Sequence, residues 1–72
     1  MMRTNEFFGK EVLDINANRI GKVNDIDVDM FRGVVNYMIV KAGLTKKYTI
    51  NLDKIEKIGD KVFLKVARAD LK

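Results

Sequence analysis

The run GVVNYMIVK, Gly33 to Lys41, is the most apolar stretch of the chain and the tightest constraint on its fold. As a strand it sends Val35, Tyr37 and Ile39 to one face and Val34, Met38 and Val40 to the other. A strand apolar on both faces needs cover on both, from a closed barrel, a partner, or each in turn. Only 72 residues are available to supply that cover. A chain of this size buries only about 60% of the surface its unfolded form exposes. With no cysteine and no histidine, it has neither a disulfide staple nor the usual zinc ligands to make up the difference. Tight packing or a second copy must do that work.

The remaining segments are short, and aliphatic alternation dominates over helical spacing. FFGKEVLD, Phe7 to Asp14, reads as a first strand and INAN, Ile15 to Asn18, as a turn, because Asn tolerates positive φ. RIGKVNDIDVD, Arg19 to Asp29, has apolar residues at Ile20, Val23, Ile26 and Val28. The spacing of three between Ile20, Val23 and Ile26, with Gly21 inside the run, predicts a strand containing a bulge. MFRG, Met30 to Gly33, is the expected hairpin turn, with Gly33 at positive φ. AGLTK is a loop, and KKYTINL is a strand with Tyr48, Ile50 and Leu52 on one face. DKIEKIGD reads as one irregular or helical turn with Ile55 and Ile58 inward. KVFLKV closes the chain with Val62, Leu64 and Val66 on one face and Phe63 on the other. The sum is all-β: a small antiparallel barrel of five or six strands with one short helical turn, in a single domain spanning residues 1–72.

No apolar run reaches the roughly 20 residues that span a bilayer, and MMRTNEFFGKEV lacks a signal-peptide core. A cytoplasmic protein without membrane insertion is expected. The net charge of +4 is unevenly placed. Residues 1–29 hold four basic against six acidic side chains, a net −2, and residues 30–72 hold ten against four, a net +6. Such polarity steers a charged partner or pairs two copies.

Four segments, GKEVLD (Gly9 to Asp14), IGKVNDIDVD (Ile20 to Asp29), GVVNYMIV (Gly33 to Val40) and INLDKIEKIGDKVFL (Ile50 to Leu64), together resemble the PRC-barrel domain family. Their order and spacing cover nearly the whole chain, and the likeness is greatest to the stand-alone archaeal type. The resemblance implies a β-barrel used for docking, with no catalysis and no cofactor. Relatives act in the photosynthetic reaction centre, in ribosome maturation and in cell-division machinery. Asp25 and Asp29 fall on acidic positions of the family pattern, which implies a structural hydrogen-bonding role for them.

DIDVD, Asp25 to Asp29, alternates three carboxylates with two aliphatics. An EF-hand would need Gly at the sixth position and Glu at the twelfth, where this chain has Met30 and Asn36. A solvated strand face is expected instead, and no metal site. GKE at Gly9 and GKV at Gly21 lack the upstream Gly and following Ser or Thr of a phosphate loop, so both read as strand bends.

The barrel interior is expected to take Val12, Val23, Ile26, Val28, Val40, Ile50, Ile58, Val62 and Leu64. That leaves Phe31, Val35, Tyr37, Ile39 and Phe63 as surplus apolar surface, expected to form a protein interface, including a homodimer. A standard interface buries about 800 Å² per subunit. The alternative partner is RNA or a ribosomal particle, met by Lys41, Lys46, Lys47 and Tyr48, with the lysines on phosphate and the ring stacked on a base. An enzyme is not expected, because no nucleophile, base and orienting group can be assembled from these residues.

Overall fold

In a computed structural model residues 4–71 are described. One helical turn, α1 (Thr4–Phe7), precedes six strands: β1 (Glu11–Leu13), β2 (Arg19–Asp29), β3 (Val34–Ala42), β4 (Lys46–Asn51), β5 (Ile55–Ile58) and β6 (Val62–Leu64). Two 3-10 turns, Leu52–Lys54 and Arg68–Asp70, follow β4 and β6. The strands form one sheet in the order β4-β3-β2-β1-β6-β5. All neighbours are antiparallel except β1 and β6, which run parallel. No ladder joins β4 to β5, but the chain passes from one to the other through the three residues of the first 3-10 turn. The two sheet edges are thus tied together covalently.

The expected all-β barrel fold is the one observed, and the six strands take the upper end of the expected count. DKIEKIGD is part turn and part strand, because β5 begins at Ile55 directly after Leu52–Lys54. The first strand is shorter than FFGKEVLD. Gly9 sits at φ +88°, which breaks the extended backbone, and Phe7 belongs to α1. Gly9 and Lys10 still hydrogen-bond β2, through Gly9 N–H to the Val23 carbonyl and Val23 N–H to the Lys10 carbonyl.

The bulge expected in β2 is present, and it is one of several slips. Pairing of β1 with β2 shifts between Val12 and Leu13, leaving Ile20 as the extra residue. Pairing of β2 with β3 shifts between Val23 and Asp25, and again between Asp27 and Val28. The first of these leaves Asn24 over on β2, and the second leaves Asn36 over on β3. An extra residue restores the phase, so Ile20 and Val23 both point inward despite a spacing of three.

The core is Val12, Ile20, Val23, Met38, Val40, Tyr48, Ile50, Val62 and Leu64, with Phe7, Ile26, Ala42, Ile55, Val66 and Leu71 packed against it. Each fully buried aliphatic contributes roughly 1.5–3 kcal/mol by leaving water. Two residues assigned inward from the pattern are exposed. Val28 lies where the β2–β3 ribbon runs past the layer that could cover it, and Ile58 lies on β5, an edge strand with a neighbour on one side only. Ile20, Met38 and Tyr48 take the interior places.

Candidate interaction surfaces

The tip of the β2–β3 ribbon is built by a turn that is secured from within. Asp29 Oδ1 accepts the backbone N–H groups of Phe31 and Arg32, each at 3.1 Å, and the Gly33 N–H donates to the Asp29 carbonyl at 2.8 Å. Gly33 has φ +65°, as its place in the hairpin predicts. The turn holds large apolar side chains in water. Met30 is 82% and Phe31 104% exposed, flanked by Val28 and Val34 at 40% each. Of the residues expected at a protein interface, only Phe31 belongs to this group. Val35, Tyr37 and Ile39 are half-buried along β3, and they do not share one face as alternation predicts, because the extra residue Asn36 turns Val35 to the side opposite Tyr37 and Ile39. Phe63 is also half-buried, three places away in the sheet on β6, with the Lys57 ammonium 5.5 Å from its ring. The structure therefore does not gather the five into one patch. It adds Val28, Met30 and Val34 to Phe31.

The second surface is cationic. Lys22 faces Lys41 across β2 and β3, and Lys41 faces Lys47 across β3 and β4. These three exposed lysines form a row over three adjacent strands, with roots about 4.8 Å apart from strand to strand. Like charges directly opposite one another destabilise a sheet. Beyond Lys22 the row meets Glu11 on β1, whose carboxylate is engaged by Lys61 Nζ at 2.7 Å and Arg19 Nε at 3.1 Å. The Lys61 hydrogen bond holds the Glu11 pKa below the usual carboxylate range against the opposing effect of burial, with help from Arg19 and Lys22. Among the described residues, none of the three lysines in the row forms an ion pair.

Tyr48 does not belong to this surface. It is 4% exposed, on the Ile50 face of β4, so no base can stack on its ring. The Lys46 ammonium lies 4.9 Å from the ring centre. Lys46 first, and then Arg68, hold the phenol pKa below its ordinary value although burial opposes them. Lys41 and Lys47 are brought together as expected, and Lys46 pairs opposite Ala42. Of the arginines, Arg3 lies outside the described residues.

The PRC-barrel domain model matches residues 1–71, the span that builds both surfaces. The chain is a PRC-barrel domain. Domains of this family are interaction and assembly modules. No curated protein matches the chain. No helix among the described residues of this PRC-barrel is long and apolar enough to cross a membrane.

Within the PRC-barrel frame, the carboxylates of DIDVD act as local ties. Asp25 Oδ1 accepts the Ile26 N–H at 2.8 Å, Asp27 Oδ2 accepts the Asn36 side-chain amide at 2.9 Å, and Asp29 secures the turn. Among the described residues, no cluster of three or more carboxylates is placed to hold a metal ion. The carboxylate that matters most was not singled out from the sequence. Asp14 is 2% exposed and accepts the backbone N–H groups of Asn16 and Asn18 at Oδ1. Its Oδ2 accepts the Arg68 N–H at 2.9 Å and the Asn18 side chain at 3.4 Å. Burial alone would raise its pKa, but the N–H donors of Arg68, Asn18 and Asn16 outweigh it and hold the pKa below the usual value. The clue was present in DINAN, where an Asp precedes Asn residues two and four places on. Between those residues Ala17, and not an asparagine, takes the positive φ of 64°.

Proposed function

We propose that this PRC-barrel is a non-catalytic adaptor of the cytoplasm that docks onto another protein or a larger assembly through the tip of its β2–β3 ribbon. The observation that carries the reading is the grouping of Val28, Met30, Phe31 and Val34, all large, apolar and exposed within one hairpin. A small domain gains nothing in stability from a phenylalanine held wholly in water, whereas aromatic side chains and methionine are favoured at the centres of protein interfaces. The absence of catalysis is supported by Asp14, the buried carboxylate, whose lone pairs are taken up by backbone donors.

A photoreactive residue replacing Phe31 is expected to crosslink the chain to a defined protein in its native host, and one replacing exposed Lys65 is not. No product from position 31 would remove the tip from the proposal. Self-association belongs to the same reading, with Tyr37 and Ile39 on the outer side of β3 as its contacts. Sedimentation should show a dimer that Tyr37→Lys dissolves, and a strict monomer at high concentration would eliminate it. RNA contact through Lys41, Lys46 and Lys47 is the second reading, favoured by the lysine row and weakened by the buried Tyr48 ring. It requires binding at low salt that falls steeply as salt rises.

A further inference from the structure

A groove of about 1070 Å³ opens beside the lysine row. Arg19, Lys22, Lys41, Lys46 and Arg68 line it, and no acidic side chain does. Of these five, only Arg19 is engaged in an ion pair among the described residues, with Glu11 on the neighbouring strand. The lining is also apolar in places, where Phe8 is 41% and Leu44 93% exposed. Gly43 adds a stretch without a side chain and with open space around it, where a ligand can approach the backbone.

We propose that this groove is a second docking site, distinct from the ribbon tip, and that it takes an extended acidic peptide segment carrying apolar residues between its carboxylates. Three features favour that occupant. The charge is concentrated at a cost to the fold, because Lys22 and Lys47 both face Lys41 across the sheet. Local arrangements that oppose stability are where function is expected. Phe8 and Leu44 offer contact to aliphatic side chains, which bare phosphate would leave unused. A nucleic acid would find only Phe8 among the lining residues to stack on beside these cations, because Tyr48 is turned into the core.

The test uses the full chain and a short fluorescent peptide alternating Glu and Leu, read by anisotropy at low salt. Binding is expected, weakening as salt rises, and about tenfold weaker for a Glu/Ser peptide of equal charge, a step of the size that losing one buried leucine contact produces. Replacing Lys22 and Lys41 together by Gln should weaken binding at least about tenfold, a loss set by removal of two charges from the contact. The same variant should melt at an unchanged or higher temperature, since the row is relieved of like charge. Phe31→Ser, which alters only the tip, should bind the peptide as the natural chain does, so failure at one site is separable from failure at the other. The proposal is overturned if the Glu/Leu peptide does not bind at low salt or if the double variant binds it equally well. It is also overturned if oligouridylate binds more tightly than the peptide, which would make the groove a nucleic-acid site.

Discussion

Replacing Gly21 by alanine should damage this domain more than any other glycine-to-alanine change in the β2–β3 ribbon. A Cβ at Gly21 would lie 2.2 Å from the Lys41 carbonyl oxygen, 2.8 Å from the Lys41 carbonyl carbon and 3.1 Å from the Ala42 Cα. Ordinary carbon–oxygen contacts between strands are about 3.3–3.6 Å, so roughly 1 Å of relief is needed. All three obstructing atoms are backbone, in a strand paired on both sides, and cannot swing away. Overpacking costs about 1–3 kcal/mol where neighbours can adjust, and the upper end applies here. At roughly 0.05–0.15 kcal/mol per residue the whole domain holds only about 4–11 kcal/mol. A loss of about 3 kcal/mol therefore lowers the melting temperature by roughly 12–24 °C in a domain of this size.

Two control positions separate the clash from the loss of glycine itself. Gly33 has φ +65° with open space around its Cβ, so Gly33→Ala should cost about 1–2 kcal/mol from the left-handed backbone alone. Gly59 has neither constraint, and Gly59→Ala should be neutral or stabilising by about 0.4–1 kcal/mol. Urea unfolding followed by circular dichroism ranks the three. If Gly21→Ala unfolds within about 0.5 kcal/mol of Gly33→Ala, the scatter expected of independent surface substitutions, the close approach of β2 to β3 is wrong.

Asp14 and Glu11 both have pKa values lowered by folding, so the unfolded chain binds more protons around pH 4 and stability falls as acid protonates the native carboxylates. Asp14→Asn should flatten that acid limb of a stability-against-pH curve and lower stability at pH 7; an unchanged limb would show that the Asp14 bonds do not persist in solution. Ala17→Gly should raise stability by about 0.5–1 kcal/mol in thermal melts, because the left-handed conformation at φ 64° penalises a Cβ. Lys46→Gln should move the ionisation of Tyr48 upward in an alkaline absorbance titration, and no movement would remove Lys46 as its chief neighbour.

The β-strand character of this chain was legible because side-chain alternation has a short period and few alternatives. Val12, Val23, Val40, Ile50, Val62 and Leu64 were placed inward from that pattern, and all are buried. The bulge in β2 was legible for the same reason, since Ile20 and Val23 can share a face only if one residue is extra. What alternation does not report is how far the covering layer extends, and so Val28 and Ile58 were assigned to a core that ends before reaching them. Tyr48 shows a different failure. The strand pattern already put it beside Ile50, yet its lysine neighbours invited a nucleic-acid role that its inward orientation forbids. The lysine row escaped notice because Lys22 and Lys41 are far apart in sequence and meet only through the ribbon's register. The apolar tip was only partly seen. Phe31 stood out, while Val28 and Val34 looked like ordinary strand positions.

The two irregularities between β2 and β3 have a consequence for how this ribbon is aimed. Asn24 is extra on one strand and Asn36 on the other, so each offset undoes the other and both ends of the ribbon stay in phase. Each extra residue is unpaired, so deleting either asparagine alone would remove one bulge and keep every pair from Lys22–Lys41 to Asp29–Val34. What would change is the local bend and the right-handed twist that a bulge adds. The direction in which the hairpin tip points is therefore adjustable, one residue at a time, without disturbing the pairs at its base.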